Sequence, residues 1–344
     1  MSELYKTLTI THIQEQVPGV KTITFAAAPE IEYHAGQYLT LVFHQFGEEV
    51  RRSYSITSSP ELGEPLTIGV KRIANGLISR QLIDQAQVGD QVQTIGASGF
   101  FILPRNLDDY RQVFFLAAGS GITPVYSLLK TVLFQHPGLH AVLIYSNHDE
   151  GSTIFRQELL QLQAKFPERF RLRFMYSNAV RLAEAHLYRE LLERLLQEYA
   201  IAPPGQVLSY ICGPQNYMRM CVYGLRDFHV PQENIYRENF VTTKVATQEL
   251  PPDVEEHQVQ LTWPLQSQTI AVQYPNTILQ AAKHAGLAMP YSCEAGKCGS
   301  CVAKCVEGRV WMSYNEVLTD REVSQGLILT CVGFPVGGDV KLEL

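Results

Sequence analysis

The chain has 344 residues, enough for two or three domains that each bury a hydrophobic core. Hydrophobic residues make up 46% of it and charged residues 18%, which excludes a collagen-like or largely disordered protein. The net charge of −6 offers no basic surface for nucleic acid or an anionic membrane. No apolar run reaches the ~20 residues of a membrane span, and the first residues do not read as a signal peptide, so we expect a cytoplasmic protein.

The first segment, residues 1–107, alternates apolar and polar residues in short stretches separated by turns. This spacing is typical of an antiparallel β-barrel. The predicted strands are Leu8–Ile13, Val20–Ala26, Tyr38–Phe43, Ser53–Thr57, Leu66–Val70 and Gln91–Ile95.

The second segment, residues 108–242, alternates buried strands with helical patterns. Such alternation predicts an α/β domain with a doubly wound parallel sheet. The predicted strands are Val113–Ala118, Ala141–Tyr145 and Val207–Ile211, and the helical stretches include Ile154–Phe166 and Ala183–Tyr199.

Residues 243–256 contain two prolines and four acids without a periodic apolar face, so we interpret them as a linker. The third segment, 257–344, is predicted to be a small α+β domain. Its predicted elements are strands at Val259–Trp263 and Thr269–Val272 and a helix at Thr277–Ala285.

Four cysteines of the third segment carry the most specific motif in the chain. Cys293, Cys298, Cys301 and Cys331 follow a Cx4Cx2Cx29C spacing, which is that of plant-type 2Fe-2S ligation. Gly296 and Gly299 would permit left-handed backbone and let amide N–H groups approach the sulfurs.

Two other cysteine sites compete with a cluster. A structural zinc site would show two short CxxC pairs, and only one is present. Cys298 and Cys301 could form a redox pair, although that motif is expected at the start of a helix near a βαβ unit.

We interpret Cys305 as a core residue on a strand and Cys221 as a packing residue on a helix.

A glycine-rich turn follows the strand Val113–Ala118 and precedes a helix. Gly119 and Gly121 would allow the tight bend and the approach of a pyrophosphate to the helix start, with Pro124 at the first helical position and Thr123 as its cap.

Cys212, Gly213 and Pro214 end a later strand at the sheet edge where ligands bind. Cys212 could equally be an ordinary buried thiol.

Two short motifs in the first segment suit a dinucleotide. Arg52, Tyr54 and Ser55 combine a guanidinium for phosphate with an aromatic face, and Gly76 to Ser79 opens a helix that could bind phosphate. Each motif alone would be unremarkable on a protein surface.

In this order the motifs resemble those of the ferredoxin-NADP reductase superfamily, followed by a plant-type ferredoxin domain. The likeness to a ferredoxin implies a β-grasp fold for residues 257–344. The resemblance implies that Arg52 and Ser79 hold the FAD pyrophosphate and that Tyr54 and Ser55 line the isoalloxazine. It implies that Cys212 lies beside the nicotinamide, with Ser55 and Cys212 as catalytic residues. Further cofactor contacts would come from Gly69, Val70, Lys71, Gly76, Leu77, Ile78, Gly119, Gly121, Thr123, Pro124, Gly213, Pro214 and Phe240.

The whole layout resembles the reductase components of bacterial oxygenases, of the phenylacetyl-CoA epoxidase reductase type. It implies an enzyme that passes electrons from NADH or NADPH through FAD to a 2Fe-2S cluster and on to a terminal oxygenase or hydroxylase, or to another one-electron acceptor protein. A stand-alone NAD(P)H dehydrogenase or quinone reductase, and a redox-sensing iron–sulfur adaptor, stay open as alternatives.

Asp149, after the second strand of the sheet, favours NADH over NADPH as the nucleotide. Arg156 or Arg181 could reverse this preference.

Overall fold

The computed structural model describes residues 4–45, 47–179, 185–241 and 250–344. Their contacts divide them into two compact units. The flavin–nucleotide unit comprises the described residues of 7–97 and 101–239, and the iron–sulfur unit those of 240–344 with 4–6 and 98–100. The described part of the chain has no helix with the length and apolarity of a membrane span.

The first six strands form one antiparallel sheet in the order β4-β3-β6-β1-β2-β5, and the helix α1 (Leu77–Asp84) follows β5. Ile56, just after β4, bridges Ile68 in β5, so the two ends of the sheet meet as in a barrel. All six predicted strands are confirmed. Their bounds are β1 (Lys6–Val17), β2 (Val20–Phe25), β3 (Tyr38–Gln45), β4 (Glu48–Ser55), β5 (Thr67–Lys71) and β6 (Gln91–Ser98).

The predicted start of β4, at Ser53, was too late in the chain. The strand begins at Glu48, and its charged residues pair with β3 in register, for example Arg51 opposite Val42. Arg51 is buried and its Nε lies 2.6 Å from Glu49 Oε1. Arg51 and Glu49 are two residues apart on the same strand, and their charges interrupt the alternation of apolar and polar residues on which the prediction depended.

The nucleotide part is a five-stranded parallel sheet in the order β11-β10-β7-β8-β9 with helices on both faces, which confirms the doubly wound α/β prediction. Its strands are β7 (Gln112–Ala118), β8 (His140–Asn147), β9 (Phe170–Tyr176), β10 (Val207–Cys212) and β11 (Ile235–Glu238). Its helices are α2 (Ile122–Gln135), α3 (Arg156–Lys165), α4 (Arg189–Tyr199) and α5 (Gln215–Asp227).

The central strand β7 is buried on both faces. Phe115 belongs to the core on the side of α2 and α3, whereas Phe114 and Leu116 belong to the core on the side of α4 and α5. A strand covered on both faces reads as a continuous apolar run, which is why the sequence indicates it so clearly.

The edge strands β9 and β11 were not predicted. β9 carries arginines at alternate positions, and β11 has only four residues, so neither shows an apolar run. The predicted helix from Ala183 begins outside the described residues, and α4 begins at Arg189.

The iron–sulfur unit is built on a mixed sheet in the order β13-β12-β18-β14-β16, in which β12 and β18 are parallel and the other pairs are antiparallel. This confirms the predicted α+β fold of the β-grasp type. Its strands are β12 (His257–Trp263), β13 (Gln266–Val272), β14 (Val302–Glu307), β15 (Val310–Met312), β16 (Leu327–Leu329), β17 (Gly333–Pro335) and β18 (Val340–Glu343), and its helices α6 (Ile278–His284) and α7 (Asp320–Ser324).

Thr277 starts α6 with a reciprocal capping pair, because its hydroxyl accepts from the Gln280 amide while the Gln280 side chain accepts from the Thr277 amide. The predicted helix of Thr277–Ala285 therefore included its two caps.

The second half of the predicted linker is fastened to the iron–sulfur unit, and residues 243–249 lie outside the described residues. Asp253 accepts a 2.7 Å hydrogen bond from the Gly337 amide and lies 2.7 Å from His257 Nε2. These contacts lower the pKa of Asp253 to about 2, chiefly through the Gly337 amide. The domain limits at 107, 242 and 256 stay predictions.

Gly36 gives a stability prediction. Its φ is +90°, and an added Cβ would lie 1.9 Å from the carbonyl oxygen of Phe101. We expect Gly36→Ala to destabilise the protein by about 3 kcal/mol, because the obstructing atom is backbone. Gly63, with φ +69° and no neighbour within 4 Å, is the matched control, and Gly63→Ala should cost only about 1 kcal/mol. Thermal denaturation of the two variants tests this, and equal losses would contradict it.

Candidate functional site

The four predicted ligand cysteines converge in the iron–sulfur unit. Cys293 hydrogen-bonds with Cys298 and with Cys331, and Cys331 also bonds with Cys301. These mutual contacts lower the pKa of Cys293 and Cys301 and raise that of Cys298 and Cys331, because each shared proton stays on one sulfur of a pair. Sulfurs that lie this close in a folded loop fit the thiolate set that a 2Fe-2S cluster requires.

The loop between Cys293 and Cys301 turns its backbone toward the sulfurs. Gly296 and Gly299 have φ of +70° and +79°, as predicted, and Glu294 is also left-handed at +51°. The amide of Ala295 lies 3.4 Å from the Cys293 sulfur as a donor. Amides that point at the sulfurs stabilise the negative charge of the thiolates.

The CxxC pair lies in a different setting from a redox motif. Cys298 and Cys301 stand in a loop that leads into the strand β14, not at the start of a helix, where a redox pair is expected. None of the seven cysteines, all in described residues, forms a disulfide.

Two further cysteines were interpreted as structural. Cys221 is buried beside α4, as predicted for a packing residue. The prediction that Cys305 is a core residue was wrong in degree. Its side chain is only partly buried, and its sulfur donates to the Glu307 carbonyl at 3.5 Å. An irregularity of β14 after Cys305 shifts the register and moves the thiol to the margin of the core.

The glycine turn after β7 differs in detail from its prediction. Gly119 to Gly121 form a short 3-10 turn that runs directly into α2, which begins at Ile122. Thr123 and Pro124 are therefore the second and third helical residues, and Thr123 does not cap the helix. Proline is still tolerated there because the first-turn N–H groups have no partner within the helix.

The structure brings this turn against the end of β10. A Cβ on Gly121 would lie 2.1 Å from the Cys212 carbonyl oxygen, and one on Gly213 would lie 2.9 Å from the Ala118 side chain. The two predicted nucleotide motifs thus meet at the carboxyl edge of the sheet, and both glycines are needed for the contact.

Buried polar atoms mark the same edge. Glu238 Oε2, at the end of β11, is buried without a hydrogen-bond partner, and Glu238 is the register neighbour of Cys212. Ser146 Oγ and Asn147 Nδ2, at the end of β8, lie near the Tyr217 and Tyr145 side chains without a hydrogen bond of normal geometry. Buried groups of this kind require an explanation, and a bound polar ligand supplies one.

Burial also changes the titration of this edge. It raises the pKa of Glu238 to about 8 and raises that of the Cys212 thiol well above its usual value. Both shifts favour the uncharged form of the side chain.

The predicted flavin residues lie on β4, β5 and the start of α1. The Arg52 side chain is exposed and donates to the Arg51 carbonyl at 2.7 Å, Tyr54 is partly buried, and Ser55 is buried. Burial raises the pKa of Tyr54. Since Ile56 bridges Ile68, the ends of β4 and β5 are neighbours.

The start of α1 is arranged as a phosphate site would be. The Ser79 hydroxyl accepts from the Ile73 amide at 3.1 Å and donates to the Gly76 carbonyl at 3.0 Å, which closes the loop before the helix. The first-turn amides, among them that of Leu77, have no partner within the helix. This geometry fits a pyrophosphate held by backbone N–H groups.

Two of the predicted contact residues, Val70 and Ile78, can reach a flavin only through their backbone. The side chains of Val70 and Ile78 fill the barrel core, whereas those of Lys71 and Leu77 are exposed. Gly69 faces the nucleotide part instead, because a Cβ there would lie 2.5 Å from the Thr123 methyl group. The Thr123 hydroxyl donates to the Ser120 carbonyl at 2.9 Å.

Three other predicted residues have a less specific placement. Asp149 accepts from the Ser152 amide at 2.8 Å, so its carboxylate closes a turn. Arg156 pairs with Glu150 at 3.1 Å, and Arg181 lies outside the described residues. Phe240, 46% exposed, follows β11 at the start of the iron–sulfur unit, and its cofactor role stays a prediction.

Neither Glu238 nor Ser146 was predicted from the sequence as a site residue. Each lies at the end of a parallel strand, and polar residues at strand ends were the available signal. For Glu238 that signal was hidden because β11 itself was not predicted.

Three domain-family profiles match the chain in the predicted order. An oxidoreductase FAD-binding domain matches residues 8–102, an oxidoreductase NAD-binding domain matches 115–222, and a 2Fe-2S iron–sulfur cluster binding domain matches 263–336. Together with the geometry above, these matches establish FAD, a nicotinamide nucleotide and a 2Fe-2S cluster as the cofactors.

Similar proteins extend over nearly the whole chain. The ferredoxin reductase component of the 3-ketosteroid-9-alpha-monooxygenase of Mycobacterium tuberculosis is 32% identical, covering 97% of this chain and 94% of its own length. One of the subunits of the 1,2-phenylacetyl-CoA epoxidase of Escherichia coli is 29% identical, covering 98% of this chain and 97% of its own length.

Solved structures share the fold. Phthalate dioxygenase reductase superposes with a TM-score of 0.59 at 24% identity, over 99% of this chain and 98% of that one. An intact type IV self-sufficient cytochrome P450 monooxygenase gives 0.73 at 22% identity, over 99% of this chain and 41% of that one. The chain belongs to the family of ferredoxin reductase components of oxygenases, oxidoreductases that pass electrons from NAD(P)H through FAD to a 2Fe-2S centre.

Proposed function

We propose that this chain delivers electrons from its cluster to a separate terminal oxygenase. The supporting observation is its similarity, over nearly its full length, to reductase components of such systems. Within 257–344 there are six Lys or Arg against seven Asp or Glu, so the unit lacks the strongly acidic surface of a ferredoxin that docks electrostatically. The iron–sulfur unit is tethered to the flavin–nucleotide unit in one chain, so it needs no electrostatic attraction to receive electrons from the flavin.

Each set of residues has a separate task. Bound FAD supplies the exchange between a two-electron donor and a one-electron acceptor. Arg52 and the first-turn amides of α1 would hold its pyrophosphate, and Tyr54 and Ser55 would line its ring. Gly119 to Gly121 would bind the pyrophosphate of the nucleotide at the start of α2.

Cys212 and Glu238 form the end of the nucleotide site that faces the nicotinamide. The raised pKa of Glu238 favours its protonated form, which would offer a hydrogen-bond donor to a carboxamide oxygen, and the raised pKa of the Cys212 thiol favours a site end free of charge. A bound carboxamide would give Oε2 the partner that it lacks.

In the iron–sulfur unit, Cys293, Cys298, Cys301 and Cys331 supply the four thiolates.

The cytoplasmic location and the preference for NADH stay predictions from the sequence.

Two alternatives differ in a measurable step. A stand-alone dehydrogenase would pass electrons to quinones or dyes without an oxygenase, and a redox sensor would hold a cluster that NADH cannot reduce. The arrangement of a nucleotide site and a cluster site in one chain favours through-transfer over sensing.

Replacing one cluster ligand tests the separation of the two steps. We expect Cys298→Ser to lower reduction of a one-electron acceptor such as cytochrome c by at least about tenfold, because the cluster is lost. Flavin reduction by NAD(P)H, followed by absorbance in an anaerobic stopped flow, should be unchanged. Cys305→Ser, on the same unit, is the control and should leave both rates intact. Loss of both steps in Cys298→Ser would show that they are not separable.

The raised pKa of Glu238 predicts a pH dependence of stability. The carboxyl titrates near its ordinary value of 4.5 when unfolded and at about 8 when folded, so the unfolded state loses its proton first. The wild type should therefore lose stability as the pH rises from about 4.5 to 8, by at most roughly 5 kcal/mol.

Glu238→Gln removes this titration. Its melting temperature relative to the wild type should rise over that pH range and level off above it. The exposed Glu193, replaced by Gln, is the control. A difference between Glu238→Gln and wild type that does not change with pH would refute the assignment.

A further inference from the structure

One face of α2 is polar although it is buried. Ser127, Thr131 and Gln135 recur at every fourth position, so they form one stripe, and Lys130 lies beside it. Ser127, Lys130 and Thr131 are all buried. The opposite face carries Leu128, Leu129 and Val132 into the core of the nucleotide sheet.

This stripe binds the barrel. The Ser127 hydroxyl accepts from the Gly36 amide at 2.8 Å, and the Thr131 and Ser59 hydroxyls lie 2.8 Å apart. Lys130 pairs with Glu64, whose carboxylate also accepts from the Ser59 amide at 2.7 Å.

The end of the helix adds one more bond, from the Gln135 side chain to the Glu61 carbonyl at 2.9 Å. We call the side chains of Ser59, Glu64, Lys130 and Thr131 the α2 latch.

The latch consists of specific polar bonds at the interface of α2 and the barrel, where apolar packing alone would be enough to keep the two parts in contact. Ser59 is wholly buried, and the Lys130 side chain is 10% exposed and lies 4.5 Å from the centre of the Tyr126 ring. Burial lowers the pKa of Lys130, while its bond to Glu64 opposes that shift. The Glu64 side chain is 33% exposed, so the pair is partly buried, and we infer that its bonds to Lys130 and to the Ser59 amide favour one geometry of the helix and the barrel loop more than they add net stability.

That geometry bears on the reaction because of what lies at the start of α2. The helix begins directly after Gly119 to Gly121, and Thr123 in its first turn contacts Gly69 of β5. Lys130 lies nine residues beyond Gly121, about 13 Å along the helix axis. A tilt of the helix at the latch would therefore displace the nucleotide turn relative to the flavin strands.

We propose that the α2 latch positions the nicotinamide against the flavin by fixing the angle between α2 and the barrel. This inference rests on the proposed function of both sites. The latch residues are positioning residues, since none of them belongs to the predicted flavin or nucleotide contacts. Hydride transfer is sensitive to such positioning, because a displacement of ~1 Å can cost roughly a hundredfold in rate.

Anaerobic stopped-flow reduction of the flavin in the full-length holoprotein tests the proposal. In Lys130→Met we expect the limiting reduction rate to fall at least about tenfold. The nucleotide dissociation constant, from the dependence of the rate on NADH concentration, should change less than about twofold, because the binding turn itself is intact. Lys130→Arg should restore most of the rate, since it keeps the charge beside Glu64.

Further variants separate positioning from general damage. Glu64→Gln should resemble Lys130→Met, and the double variant should be no slower than either single one, since all three break the same contact. Arg189→Met, which removes the exposed ion pair with Asp227 on the nucleotide part, is the matched control and should reduce at the wild-type rate. If Lys130→Met fails to retain flavin, Thr131→Val replaces it, with the same expected loss of rate at unchanged affinity.

The outcomes distinguish a failure of the proposed function from a failure of the latch proposal. A flavin-loaded wild type that neither NADH nor NADPH reduces would refute the proposed function. A reducible wild type with latch variants of unchanged limiting rate, or a loss that Arg189→Met shares, would refute the latch alone.

Discussion

Hydride transfer requires its reacting atoms to approach within ~3–3.5 Å, and this constraint accounts for how the chain is divided. The barrel and the parallel sheet belong to one compact unit, although each has its own sheet. An apolar cluster that includes Ala35, Phe101 and Leu128 joins the two parts, together with the contact of Thr123 with Gly69 and the latch between α2 and the barrel loop. The four-cysteine loop, whose chemistry is the transfer of single electrons, belongs to the other compact unit.

Glycine has a specific purpose at two points of this arrangement. At Gly121, a side chain would collide with the backbone of Cys212, so the nucleotide turn and the end of β10 could not meet. At Gly296, the positive φ turns the loop around the ligand sulfurs, and a side chain would lie 2.9 Å from the Tyr314 carbonyl oxygen. Both sites therefore depend on a close approach of backbone to backbone or of backbone to sulfur.

Motifs of special residue types were predictable from the sequence, and so were strands buried on both faces. The cysteine spacing, the glycine turn and β7 could be identified because thiols, glycines and unbroken apolar runs are rare by chance. Edge strands such as β9 and β11 were missed, since arginines and short length hide their alternation. Glu238 and the latch could not be predicted, because each depends on which residues of distant segments meet. Lys130 and Glu64 are separated by 66 residues, and nothing in either local sequence indicates the pairing.

Electrons pass from a pyridine nucleotide through the flavin to the four-cysteine cluster within one chain. The decisive measurement is an anaerobic titration of the purified holoprotein with NADH, followed by electron paramagnetic resonance. We expect the signal of a reduced 2Fe-2S cluster with close to one unpaired electron per chain, absent when Cys298 is replaced by Ser. A flavin that bleaches while the cluster stays oxidised would refute transfer from flavin to cluster.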